Sequence, residues 1–76
     1  MSDTPLSPRE LEILHLVGAG YCHQEVAERL GLSVDTVRNY SANILKKLQV
    51  WTTTSAIVLA IQNGEIDPGE IEIVRR

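Results

Sequence analysis

Three residues, Gly31-Leu32-Ser33, separate two amphipathic segments and constrain the fold more than any other part of the chain. Gly31 can take the left-handed conformation that ends a helix, and Ser33 can cap the helix that follows. The segment before this turn, residues 23–30, has its apolar side chains on one side and its charged ones on the other. A turn of about three residues between two such helices predicts a helix-turn-helix.

The first predicted helix begins with a capping box. Ser7 can cap this helix, Pro8 suits its first position, and Glu10 stands at its third position. Apolar residues then recur at helical spacing until Gly18-Ala19-Gly20 ends the run. We therefore expect a helix over roughly residues 8–18.

The third predicted helix, from about Val34 to Leu48, has two unlike faces. Its apolar seam consists of Val34, Val37, Ile44, Leu45 and Leu48. The opposite face, which we name the outward strip, consists of Asp35, Arg38, Asn39, Ala42 and Lys46. These five follow helical spacing, so small and polar side chains share one side of the helix. Such a strip is typical of a helix that reads DNA bases.

A fourth helix is predicted to begin at Thr52, Thr53 or Thr54 and to end near Asn63-Gly64. Six consecutive apolar residues, 56–61, would cover every side of this helix. One face can pack on the domain, but the other would stay in water unless something covers it. We therefore expect self-association through this helix, with candidate contacts at Ile57, Val58, Ile61 and Gln62.

Together these segments predict one all-α domain, a four-helix bundle over residues 6–66, with an N-terminal lead at 1–5 and a tail at 67–76. The chain has no Phe, so Leu, Ile and Val must fill the core, and Tyr21 and Trp51 are expected at its edges. The tail has two interpretations. Residues 67–70 could cap another short helix, whereas residues 71–73 alternate like a strand.

The net charge of −3 has the wrong sign for a general nucleic-acid binder, but the charges are unevenly distributed. Residues 33–64 carry three bases and one acid, whereas the segments on either side of them are acidic. A DNA-binding surface is therefore expected in the middle of the chain.

Nothing in the sequence predicts a catalytic or metal site. Cys22 is the one cysteine, so no internal disulfide can form and a cytoplasmic location is expected. Cys22, His23 and His15 lack the spacing and the acidic partner that zinc or nucleophilic catalysis needs. No apolar stretch approaches the ~20 residues that span a bilayer. We therefore expect no enzyme activity, no cofactor, no metal and no membrane association.

Four blocks of sequence, in order, resemble the helix-turn-helix domain of LuxR/GerE-type regulators, which is also the output domain of NarL/FixJ-like response regulators. The blocks are LSPRELEIL (6–14), EVAERL (25–30), SVDTVRNY (33–40) and ILKKL (44–48). The resemblance covers about residues 6–66. It implies a recognition helix at about 34–48 in the major groove, braced by the second helix, and a dimer contact through the fourth.

The resemblance and the side-chain chemistry together suggest the DNA contacts. Arg38 can pair with guanine and Asn39 with adenine in the major groove. The candidate base contacts are Arg38, Asn39, Ala42 and Asp35. The candidate phosphate contacts are Ser33, Thr36, Gln24, Lys46, Lys47 and Thr53. Several positions differ from the family's usual residues, namely Cys22-His23-Gln24 for Ser-Asn-Lys, Tyr40 for His, Gln49 for Gly and Thr53 for Arg.

Two functions are compatible with the sequence. The first is a transcription regulator that binds double-stranded DNA as a homodimer. The second is a protein-binding antagonist that keeps the fold, binds DNA weakly or not at all, and covers the fourth helix of a partner regulator. The net negative charge, and Gln24 in the place of the family's lysine, favour the second function. The bases on and beside the outward strip favour the first.

Overall fold

The computed structural model describes residues 6–75 and forms four α-helices followed by one turn of 3-10 helix. These elements are α1 (Pro8–Ala19), α2 (His23–Leu30), α3 (Val34–Leu48), α4 (Thr53–Gln62) and the 3-10 helix Pro68–Glu70. No strand occurs among the described residues, so the predicted all-α class is confirmed. The predicted lead, residues 1–5, lies outside the described residues, as does Arg76.

The predicted capping box starts α1. The Ser7 hydroxyl accepts a hydrogen bond from the Glu10 N–H at 3.1 Å, and the Glu10 carboxylate accepts one from the Ser7 N–H at 2.8 Å. The helix ends at Ala19, one residue later than predicted, because Gly20 is the residue that takes positive φ, at 114°. Gly18 stays helical.

The turn between α2 and α3 forms as the sequence predicts. Gly31 has φ of 70°, and the next N–H, from Leu32, donates to the carbonyl of Ala27 at 2.9 Å. The Ser33 hydroxyl then accepts from the Thr36 N–H at 3.0 Å and caps α3. Local hydrogen bonds therefore stabilise both ends of the turn, where α2 ends and where α3 begins.

The core is made of aliphatic side chains from all four helices. Its largest fully buried side chains are Ile13, Val26, Val37 and Ile44, each worth about 1.5–3 kcal/mol of burial. Both α1 and α3 pack against each of the other three helices. The predicted seam of α3 faces this core, with Val37, Ile44 and Leu48 buried and Val34 and Leu45 half-buried.

Small residues allow α1 and α4 to approach closely. Ala56 and Ala60 are fully buried on α4. A Cβ atom added to Gly18 of α1 would lie 2.9 Å from Cδ1 of Ile57. The side chain of Ile57 therefore covers α1 rather than standing clear of the domain.

The tail folds back onto α1. Asp67 accepts from the Gly69 N–H at 2.9 Å and caps the 3-10 helix, so the helical interpretation of residues 67–70 is confirmed in this short form. Residues 71–73 form no strand. Ile71 packs against the core, and the Val74 N–H donates to the carbonyl of Ala19 at 2.7 Å. The described tail is thus attached to the domain that precedes it.

No single helix among residues 6–75 is long and apolar enough to cross a membrane. Helices α3 and α4 reach that length and composition only when taken together, and they are bent by 57° where they meet.

The C-cap of α3 is a backbone-strained position. Gln49 has φ of 58°, which makes it the one non-glycine residue with positive φ among the described residues. A left-handed conformation costs an L-residue with a side chain about 1–2 kcal/mol, and glycine avoids most of this cost.

Replacing Gln49 by glycine is therefore expected to raise the free energy of unfolding by about 0.5–1 kcal/mol, after the extra chain entropy of glycine is subtracted. The same change at Gln24, an exposed residue with helical backbone in α2, is expected to lower it by up to about 1 kcal/mol. Urea unfolding of both variants checks the two signs. Shifts in the same direction would contradict a strained Gln49.

Candidate nucleic-acid interface

The outward strip of α3 faces solvent. All five of its residues are exposed: Asp35, Arg38, Asn39, Ala42 and Lys46. Arg38 Nη1 lies 3.5 Å from Asp35 Oδ1, one turn earlier, with the two side chains 63% and 90% exposed. An ion pair this exposed is worth little, so the guanidinium can leave it for another partner.

Hydroxyl groups and free N–H groups surround the start of α3. The Ser33 hydroxyl caps the helix and donates to the Thr36 hydroxyl at 2.8 Å. Among residues 6–75, the N–H groups of Val34 and Asp35 have no acceptor, as expected for the first turn of a helix. This end of α3 therefore offers several donors to an anion.

An open groove lies beside the outward strip. It is lined by Thr36, Asn39, Tyr40 and Asn43. Asn43 is exposed, and the sequence analysis did not select it. Its position four residues after Asn39 and seven after Thr36 was the available signal, since these spacings bring side chains to one helix face.

Helix α2 is joined to α3 by a polar contact as well as by its apolar face. His23 Nε2 lies 3.2 Å from the Ser41 hydroxyl. Beside it, Gln24 is exposed on the first turn of α2, and the Cys22 N–H donates to the Glu25 carboxylate at 3.0 Å. Within residues 6–75, no group of three or more His, Cys, Asp and Glu side chains is placed to hold a metal ion.

The two adjacent lysines of α3 have different surroundings. Lys46 is exposed and makes no ion pair with the described residues. Lys47 Nζ lies 2.8 Å from Glu10 Oε1, and the Glu10 side chain is only 5% exposed. Lys47 thus has a structural partner on α1 that the sequence analysis missed. Its predicted phosphate contact stays a prediction.

Glu10 is a buried carboxylate with two hydrogen bonds. Burial by itself raises the pKa of Glu10, but the hydrogen bond from Lys47, that from the Ser7 N–H and the charge of Lys47 outweigh it. The pKa of Glu10 therefore lies below its ordinary value of 4.5. The carboxylate stays charged and joins the start of α1 to the end of α3.

The start of α4 is capped by Thr52, whose hydroxyl accepts from the Ser55 N–H at 3.1 Å. Thr53, a predicted phosphate contact, is half-buried and lines a small internal gap with Leu45 and Ser41. Its phosphate contact stays a prediction.

The outer face of α4 contains only part of the predicted dimer surface. Val58 is 48% exposed and Gln62 is exposed. Ile61 is half-buried and packs against the core, and Ile57 covers Gly18. Of the four predicted contacts, Val58 and Gln62 are thus exposed, whereas Ile57 and Ile61 pack against the domain, and the dimer contact itself stays a prediction.

The two aromatic residues expected at the core edge behave differently. Tyr21 is half-buried against the core and lies under Arg29, whose guanidinium carbon is 4.0 Å from the ring centroid. Trp51 is 95% exposed, so the prediction for this residue was wrong. Trp51 lies in the turn after α3, outside the core.

The luxR family of bacterial regulatory proteins matches residues 4–60. The chain belongs to this family. Residues of this LuxR-family domain are also similar to proteins named "Response regulator protein VraR" from Staphylococcus aureus (strain Mu3 / ATCC 700698), from Staphylococcus saprophyticus and from Staphylococcus epidermidis. Each is 41% identical over 61 residues, which is 80% of this chain and 29% of the relative. The chain thus spans under a third of their length.

Family membership confirms the predicted LuxR/GerE resemblance, and the four helices of the structure confirm the fold class. The match to a family of regulatory proteins supports DNA-binding transcription regulation as the general function. The individual contact residues stay predictions.

The ion pair of the buried Glu10 with Lys47 makes the stability of this LuxR-family domain decrease at acid pH. Since the pKa of Glu10 is lower in the folded than in the unfolded chain, its contribution is complete above pH 4.5 and is lost as the pH falls through the lowered value. Glu10→Gln is expected to lower the free energy of unfolding at neutral pH by about 1–2 kcal/mol and to flatten this acid dependence.

Glu12→Gln is the matched control, because Glu12 lies on the same helix and pairs with Arg9 in an exposed position. Urea unfolding over a pH series measures both variants. An acid dependence as steep in Glu10→Gln as in the wild type would contradict the assignment.

Proposed function

We propose that this LuxR-family domain binds double-stranded DNA in a sequence-specific way, with α3 in the major groove. One observation supports this more than any other. The five residues of the outward strip are all exposed on a helix whose opposite face is buried in the core. A helix held in this way can enter a groove without disturbing the fold.

The outward strip has the chemistry to read base edges. The guanidinium of Arg38 can donate two hydrogen bonds to guanine, and the amide of Asn39 can pair with adenine. Ala42 can contact a thymine methyl group, and Asp35 can accept from cytosine. Each good bidentate pair is worth about 1–3 kcal/mol of discrimination.

The phosphate contacts would come from the ends of α3 and from α2. At the start of α3, the Ser33 and Thr36 hydroxyls can bind one phosphate together with the free N–H groups. Gln24 on α2 and Lys46 near the end of α3 are exposed and would bind others. Lys47 would first have to leave Glu10, and Thr53 would bind through its half-buried hydroxyl.

Dimerisation through α4 would place two such domains on a two-fold site. The exposed Val58 and Gln62, with Ile61 beside them, form the surface that two copies would share. A DNA-binding domain with few cations gains most from this pairing, because two weak sites on one duplex act together. Such a regulator acts in the cytoplasm, where bacterial DNA lies.

A second candidate is a protein-binding antagonist with the same fold. The net charge of −3 favours it, and so does the ion pair of Lys47 with Glu10, which leaves Arg38 and Lys46 as the bases of α3 without a buried partner. This protein would bind a partner regulator through α4. It would bind DNA weakly or not at all, and the following titration separates the two candidates.

Fluorescence anisotropy of a random duplex pool, titrated with the protein at several salt concentrations, tests DNA binding. Arg38→Ala is expected to flatten the preference at one base position among selected sites. Lys46→Ala is expected to weaken binding to all sequences and to reduce the salt slope by about one. An absence of wild-type binding at low salt would exclude the DNA-binding proposal and favour the antagonist.

Sedimentation of a Val58→Glu variant tests the dimer. A charge at this exposed apolar position is expected to convert the dimer to monomer without unfolding the domain, because Val58 lies outside the core. Ile73→Glu is the control, since Ile73 is exposed on the tail. A monomeric wild type, or a Val58→Glu dimer as strong as the wild type, would show that α4 is not the interface.

A further inference from the structure

The one tryptophan of the chain is almost completely exposed. Trp51 is 95% exposed in the turn between α3 and α4. It borders an open groove of about 490 Å³ lined by Ala42, Leu45, Lys46, Gln49, Val50 and Trp51. An indole ring brings a large apolar surface, whose burial favours a partner over water, and one N–H donor that can orient such a partner.

The charge of this groove fits an anion. Among the described residues that line it, none is acidic, and Lys46 brings a positive charge with no ion pair in residues 6–75. Two other open grooves of the domain each contain two acids beside Arg29, namely Glu12 and Glu65 in one and Glu70 and Glu72 in the other. In a chain with a net charge of −3, the Trp51 groove is thus suited to a polyanion.

The groove is continuous with the outward strip. Ala42 and Lys46 belong to both. A duplex that lies along the strip would therefore pass directly beside the indole ring at the C-terminal end of α3.

We propose that Trp51 packs against the sugar–phosphate backbone of bound DNA, with its Nε1–H donating to a phosphate oxygen. This inference rests on the DNA-binding function proposed above. The contact adds affinity through apolar packing and a neutral hydrogen bond, so it releases no counterion and reads no base. It supplements binding in a domain whose exposed cations are few.

The intrinsic fluorescence of Trp51 tests the proposal directly, because no other tryptophan contributes. The wild-type protein is titrated with the random duplex pool while tryptophan emission, its quenching by the neutral quencher acrylamide and the anisotropy of labelled duplex are followed together. We expect acrylamide quenching to fall in step with the rise in anisotropy. Unchanged quenching alongside rising anisotropy would overturn the role of Trp51 and leave DNA binding intact.

Variants separate this contact from an ionic one. Trp51→Ala is expected to weaken binding to every duplex by about tenfold and to leave the salt slope unchanged, in contrast to Lys46→Ala. Ile73→Ala, which removes an exposed apolar side chain from the tail, is expected to bind like the wild type. Circular dichroism and thermal unfolding confirm that each variant is folded.

Three further results would contradict the proposal. Wild-type affinity in Trp51→Ala would show that the indole makes no useful contact. A fall in acrylamide quenching with protein concentration alone, without DNA, would assign the groove to a second copy of this chain. If anisotropy does not rise even at low salt, the proposed DNA binding is excluded, and the proposed Trp51 contact is excluded with it.

Discussion

The structure depends on one carboxylate, that of Glu10, which joins the two central helices. It completes the cap of α1 through the Ser7 N–H and accepts from Lys47 of α3 at 2.8 Å. Helices α1 and α3 each pack against all the others, so their relative position determines where α2 and α4 can lie. With its inner face held by this pair and by the core, α3 has its other face free for a ligand.

The features that the sequence predicted are those that depend on near neighbours. The caps at Ser7 and Ser33 and the turn at Gly31 each involve residues at most five apart, and the apolar spacing of α3 shows which face is buried. The unpredicted features join distant residues, such as the pair of Glu10 with Lys47. The sequence prediction for Trp51 was wrong because the general preference of tryptophan for burial does not show which residues lie outside the core.

In the candidate site, too, local features could be predicted from the sequence and long-range ones could not. The outward strip could be predicted, because periodicity alone separates the exposed side of α3 from the buried side. The number of positive charges available to DNA could not be predicted. The adjacent Lys46 and Lys47 look alike in sequence, and only Lys47 has a buried partner. A sparsely charged recognition surface then has to gain affinity from dimerisation and from uncharged contacts, as proposed for α4 and Trp51.

The central claim, that the outward strip of α3 is the surface that meets DNA, is tested most directly by amide NMR of the labelled domain titrated with a selected duplex. The account predicts that the largest chemical-shift changes fall on the exposed side of α3 and on its first turn, from Ser33 to Lys46. The largest changes on the groove lined by Glu12, His15 and Arg29, with α3 unaffected, would contradict it.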